Sequence, residues 1–241
     1  MNKIICLWSC PRNISTALMY SFSSREDTNV FDEALYGYYL TKSKSNHPGR
    51  DEIINSMEYN PEKVINEIIL KNSSKVSFHK LMTHFLIDLD LSFLNNVRNI
   101  IFIREPREII HSYHKVIPYP TIDDVGVKKQ FELYNYLISQ NIDVIVLDSR
   151  DMLMHPKKTL KKLCIQIGIP FDENMLKWKK GPKNEDGIWA KYWYKNVHQT
   201  DCFQKYEKKE IKLDSKNENL EKNCLFYYKK LKKNSLKIKF S

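Results

Sequence analysis

A strand-length apolar run that breaks into a hydroxyl-rich loop and then into helical spacing constrains this chain most. Lys3-Ile4-Ile5-Cys6-Leu7-Trp8 meets Ser9-Cys10-Pro11-Arg12-Asn13-Ile14-Ser15-Thr16, and the following segment carries Leu18, Met19 and Phe22 on a helical period. Strand, loop and helix N-terminus together make an anion site. The first N–H groups of a helix have no intrahelical acceptor, and the helix dipole favours negative charge there. Arg12 adds a planar fork that fits phosphate or sulfate oxygens, and Ser15 and Thr16 add hydroxyl donors. Pro11, Arg12, Asn13, Ile14, Ser15 and Thr16 are therefore candidate anion-binding residues. The nucleoside-triphosphate pattern needs two glycines and Gly-Lys-Ser/Thr, whereas this loop has no glycine and carries Arg12 in place of the lysine. The competing reading is an ordinary strand-to-helix turn with Ser15 as the cap.

The 241 residues fit one α/β domain, and 42% hydrophobic residues are enough to bury a large core. Apolar runs reach strand length only, far short of a membrane span, and no signal peptide is visible. Five cysteines without a CxxC pair suit a reducing compartment, so a cytoplasmic location is expected and a metal site at Cys6 and Cys10 is rejected. The formal charge of +10 allows nucleic acid, an anionic membrane or a small anionic ligand as partner. Much of that excess lies between Lys205 and Lys239, where core residues are few and a solvated basic surface is the simpler account. The expected organisation is a domain over residues 1–200 and a lysine-rich extension over 201–241, packed in part on it.

Further along, Val30 and Phe31 read as a strand end that carries Asp32 and Glu33 to the carboxyl edge of a sheet, where open α/β sheets bind ligands. Glu33 is a candidate general base, or else an acid capping the next helix. Pro61 to Leu70 has a helical stripe of Val64, Ile65, Ile68 and Ile69. A strand from Lys75 brings His79, Lys80 and His84 near its end, and a histidine of near-neutral pKa can take a proton from an acceptor hydroxyl. Asn99 to Ile103 reads as a buried strand ending in Arg104, with Ser112 eight residues on, about two helical turns into the next segment; the two can clamp a second phosphate. Asp143 to Leu147 is another parallel-type strand, and Asp148 at its end is placed like the metal-holding acid of an NTPase. Lys157 to Ile167 is an amphipathic helix stopped by Gly168. Lys179, Lys180 and Gly181, running on to the aromatics Trp189 to Trp193, have the composition of a loop folded over an anionic ligand.

These blocks, in this order, resemble the sulfotransferases that use 3′-phosphoadenylyl sulfate (PAPS). Ser9 to Thr16 is similar to the family's 5′-phosphosulfate loop, and Arg104 with Ser112 to its 3′-phosphate motif. Lys179-Lys180-Gly181 is similar to a late Arg-Lys-Gly loop. Met82-Thr83-His84 is similar to the segment holding the catalytic histidine of some members, and Glu33 is placed like the glutamate that does that work in others. The resemblance covers roughly Ile4 to Trp193. It implies a three-layer α/β domain with a central parallel sheet, a P-loop-NTPase-like fold. It also implies PAPS as co-substrate, a hydroxyl or amine acceptor and no metal. In these roles Arg12 disperses charge on the transferring group, Glu33 or His84 is the base, and Arg104, Ser112, Lys179, Lys180 and Gly181 hold the 3′-phosphate. Departures are Arg12 for the loop lysine, Ala17 where a tryptophan stacks on adenine, and Ser149 where a tyrosine often contacts it. The rival readings are a P-loop nucleotide kinase or NTPase using Asp148, and a non-catalytic basic module for nucleotide or nucleic acid; the sequence makes nucleic acid the weaker partner.

Overall fold

The computed structural model describes residues 3–43, 45–71, 74–114, 117, 119–208 and 210–238, so Lys209 and residues 239–241 of the lysine-rich tail lie outside it. The first apolar run forms β1 (Lys3–Ser9), buried on both faces from Ile5 on, as a central parallel strand must be. After the loop comes α1 (Ser15–Ser23), then β2 (Thr28–Asp32), α2 (Tyr36–Lys42) and α3 (Arg50–Ser56). The stripe after Asn60 opens as α4 (Pro61–Lys63), capped by Asn60, and widens into a π-turn over Val64–Ile69 that buries Val64 and Ile69. β3 (Val76–Met82) and β4 (Arg98–Ile103) follow, then α5 (Pro106–Tyr113), α6 (Ile122–Val125) and α7 (Val127–Ser139). β5 (Val144–Asp148) leads into α8 (Ser149–Met154) and α9 (Pro156–Ile167), which ends on Gly168 at φ 74° as its glycine foretells. α10 (Ala190–Trp193) is a single turn, and α11 (Ser215–Lys233) is the longest helix among the described residues.

The five strands lie in the order β2-β3-β1-β4-β5, every pair parallel. Strand period two sorts the core into two layers. Cys6, Trp8, Leu81 and Ile101 face α2, α5, α7 and α11, while Ile5, Leu7, Phe78 and Phe102 face α1 and α9. This is the three-layer parallel architecture expected from the sequence. β1 continues toward β2 and β4 toward β5, so these neighbours send their connections in opposite directions. The crevice at their carboxyl ends is the switch point where such sheets bind ligands.

The tail departs from its reading as a solvated basic surface. α11 buries Asn217, Glu221, Cys224, Tyr228 and Leu231, a stripe at helical spacing hidden in the composition by the lysines between them. Tyr228 donates to Asp148 Oδ2 at 2.9 Å, and Lys232 pairs with the same oxygen at 2.9 Å. Asp148 therefore ends β5 as a buried helix cap and ion-pair partner, away from the crevice, which removes the metal-holding role considered for it.

Candidate active site

The loop after β1 is held from beneath. Asn13 Nδ2 donates to the Phe102 carbonyl, and Gln130 Nε2 reaches both Phe102 O at 2.7 Å and Trp8 O at 3.2 Å. Gly126, at φ 76° between α6 and α7, lies so close that a Cβ there would stand 3.1 Å from Cys10 Cβ. Without glycines of its own, the loop turns on Arg12 at φ 60° and Ile14 at φ 52°, left-handed conformations that cost about 1–3 kcal/mol each and gather at ligand sites. Ile14, not Ser15, is the N-cap of α1. No side chain caps that end and no acidic residue lies in its first turn, so the helix N-terminus is open to an anion.

Arg12, Arg104 and Ser112 meet in the crevice. Arg12 Nε donates to Ser112 Oγ at 3.0 Å, and Arg104 NH1 donates to the Arg12 carbonyl. Burial and the neighbouring Arg104 charge both lower the Arg12 pKa, the mark of a cation crowded by another cation. Arg104 Nε donates to Glu108 Oε2 at 2.8 Å, and Glu108 Oε1 accepts from the Tyr206 hydroxyl at 3.0 Å.

A cavity of about 680 Å³ runs from this crevice to the end of β2. Its lining brings Pro11 to Ala17, Arg104, Glu108 and Ser112 together with Glu33, Lys80 and His84. Tyr36, His47, Phe85, Tyr113 and Trp193 add an aromatic wall. Tyr36 stacks on Phe85 with centroids 5.1 Å apart, and its hydroxyl bonds His47 Nδ1 at 2.7 Å. Burial pushes the Glu33 carboxyl up to about 7, against the pull of the Lys80 ammonium. Burial and the nearby His47 hold the His84 imidazole down to about 3. His79 goes elsewhere: one residue from Lys80 on a strand, it points to the opposite face, where it stacks on Phe31 with centroids 4.5 Å apart.

Lys179, Lys180 and Gly181 are not brought to the cavity. Both lysines are exposed, Lys180 faces Asp201 at 3.9 Å, and Gly181 N donates to His198 O at 2.8 Å. The wall expected from them comes instead from Asn196, Val197, Thr200 and residues 202–207. This strap is fastened through Asp186, which accepts from the Tyr20 hydroxyl at 2.7 Å and lies 3.0 Å from His198 Nε2. Of the aromatic run ahead of it, Trp193 lines the cavity while Trp189 is buried in the core. Local composition carries no signal for the strap, whose partners sit on α1 and β2. Lys80 is different, since its strand phase already sets it opposite His79.

A family described as "Sulfotransferase domain" matches residues 2–235. The chain belongs to this sulfotransferase family. The sulfotransferase domain is 38% identical over 205 residues to "Branched-chain-amino-acid aminotransferase-like protein 1" of Arabidopsis thaliana, covering 83% of this chain and 36% of that protein. It is 34% identical over 208 residues to "Branched-chain-amino-acid aminotransferase-like protein 2" of the same plant, covering 86% of this chain and 37% of that protein. It thus spans little more than a third of the length of these curated relatives. Among solved structures, "Sulfotransferase Domain from the Curacin Biosynthetic Pathway" superposes with a TM-score of 0.53 at 16% identity, covering 92% of this chain and 97% of that one. That likeness is one of fold. No helix among the described residues is long and apolar enough to cross a membrane.

Proposed function

We propose that this domain transfers a sulfuryl group from PAPS to a hydroxyl or amine acceptor. The observation that carries the reading is a single cavity lined by an uncapped helix N-terminus, Arg12, Arg104, Ser112 and Glu33. Backbone N–H groups of the loop and the Arg12 fork suit a sulfonate and its leaving phosphate, whose charge grows as the sulfur–oxygen bond breaks. Arg104 and Ser112 suit the 3′-phosphate, with Lys205 of the strap close by in place of Lys179 and Lys180. Glu33 takes the acceptor proton as the acceptor attacks, because a base is most effective when its pKa lies near the working pH. His84, held far below that range, is neutral and better suited to orient the acceptor than to accept its proton. The nucleotide lies near Ala17, Leu153, Val197 and Phe203, and the acceptor lies against Tyr36, Phe85 and Trp193.

The test is a thermal-shift titration with adenosine 3′,5′-bisphosphate, AMP and ATP, each with and without Mg²⁺. At about 100 times its dissociation constant a ligand adds roughly 2.7 kcal/mol of stability. In a chain of this length that is a rise of about 5–11 °C in Tm. The bisphosphate is expected to stabilise without metal and more than AMP does. Equal shifts with AMP, or stabilisation by ATP only with Mg²⁺, would overturn the donor assignment in favour of an NTPase.

A further inference from the structure

The end of β3 holds a buried charge cluster that the proposed roles leave unexplained. Lys80 is fully buried and its ammonium meets three oxygens: Asp32 Oδ1 at 2.8 Å, Tyr194 Oη at 2.5 Å and Glu33 Oε1. Tyr194 in turn bonds both Asp32 oxygens, at 2.9 and 2.7 Å, and Gly187 N donates to Asp32 Oδ2 at 3.3 Å. Asp32 is thus committed to the strap side of the cluster. Glu33 is held at two points by the same residue, since its own N–H donates to the Lys80 carbonyl at 2.7 Å. Its φ of 47° is a left-handed conformation that a glutamate adopts only under constraint. Lys80 takes Oε1, and among the described residues no hydrogen bond reaches Oε2 of this cavity-lining side chain.

We infer that Lys80, fixed by Asp32 and Tyr194, is a positioning residue that aims the free oxygen of Glu33 at the acceptor and keeps the carboxylate ionisable. The inference rests on the reading of Glu33 as the base. The charges around Glu33 come from four elements. β2 supplies Asp32, β3 Lys80, α2 the hydroxyl of Tyr36, and the end of α10 Tyr194, while Tyr20 of α1 stands behind them through Asp186. Lys80 is the only cation bonded to Glu33 among the described residues. One ammonium with two carboxylates leaves the cluster neutral when Glu33 carries its proton and at −1 when Glu33 has given it up. Without Lys80, an ionised Glu33 would face Asp32 in a buried site with no counter-charge, and the proton would stay on.

The experiment titrates Glu33 directly, so no acceptor is needed. Protein labelled with ¹³C at the glutamate carboxyl is followed by NMR across pH 4–10, the Glu33 resonance being the one lost in Glu33→Gln. In Lys80→Met the midpoint is expected to rise by about 1–3 pH units, the size of effect an adjacent opposite charge exerts. Lys80→Arg should restore most of it. Tyr194→Phe, the milder change should Lys80→Met fail to fold, should raise the midpoint less. A midpoint unmoved in Tyr194→Phe and in the Lys80 variants that fold would reduce the cluster to a structural ion pair and overturn the inference. Failure of the underlying reading looks different: Glu33 then titrates as described, yet Glu33→Gln transfers sulfuryl groups as fast as wild type.

Discussion

Glu108 shows how a single carboxylate can stand guard over an anion site. It occupies Arg104 and is itself held by Tyr206, so under the proposed function a phosphate would compete with it for the guanidinium. Partly exposed ion pairs of this kind contribute about 0.2–1 kcal/mol. Glu108→Gln is therefore expected to tighten binding of adenosine 3′,5′-bisphosphate by up to about fivefold in calorimetry. Weaker binding would mean that Glu108 orients Arg104 instead of blocking it. Glu33 carries the opposite kind of cost. Its carboxyl is raised from 4.5 to about 7, so the folded state favours the protonated form. Stability from this group is present in full below the unfolded value and is lost as pH rises through the folded one. Glu33→Gln should therefore raise Tm at pH 8 by a few degrees and change it little at pH 4.5, while abolishing most of any transfer. A variant equally stabilised at both pH values would show that the carboxyl is not strained toward its acid form.

At the scale of elements, the anion loop depends on a neighbour with no chemistry of its own. Gly126 joins α6 to α7 at φ 76° and lets the junction approach Cys10. Gly126→Ala adds a Cβ in a conformation alanine resists, at a cost of about 1 kcal/mol or more, and presses on the loop. A fall in Tm of about 2–4 °C is expected, together with weaker bisphosphate binding, as the loop N–H groups lose their aim. Gly181→Ala is the matched control: it too has positive φ, at 96°, but nothing lies within 4 Å of its added Cβ. It should lower Tm and spare binding. If both variants bind equally poorly, Gly181 belongs to the site after all. The contrast also marks what the sequence could and could not disclose. β1 with its loop, and β4 with Arg104 and Ser112, were legible because each is a local alternation of apolar strand, polar turn and helical period. The setting of Lys80 was only half legible, since period two separates it from His79 but says nothing of Tyr194, 114 residues away. The strap was not legible, because its fastening to Tyr20 spans 166 residues and leaves no local pattern. The basic run at Lys179 drew the phosphate role by composition, whereas backbone bonds from Trp178 to Asp201 and from Gly181 to His198 tie that run into a surface turn.

For the molecule as a whole, the lysine-rich end is part of the core. α11 covers α5, α7 and the sheet edge, supplies Tyr228 and Lys232 to Asp148, and takes Arg107 onto Glu221 at 2.7 Å. Ending the chain after residue 213 would leave the Asp148 carboxylate buried without these partners and expose the apolar surface under Cys224 and Leu231. Such a truncation is expected to lose its cooperative thermal transition and to bind a hydrophobic dye at room temperature. A sharp melt within a few degrees of the full chain would make residues 214–241 a separable appendage. The fully parallel sheet has a second effect at this scale. Every strand pairing waits on a crossover, so closure entropy must be met before the contacts that offset it form.

Because the cavity is lined both by residues 11–17 and by residues between 196 and 207, these parts of its wall emerge from the ribosome far apart in time. At about 5–20 residues per second, roughly ten to forty seconds separate them. Arg104 follows Arg12 only about midway through that interval, and the last wall of the cavity follows Arg104 by as long again. The complete cavity is thus a late property of this polypeptide, reached only when those residues close it.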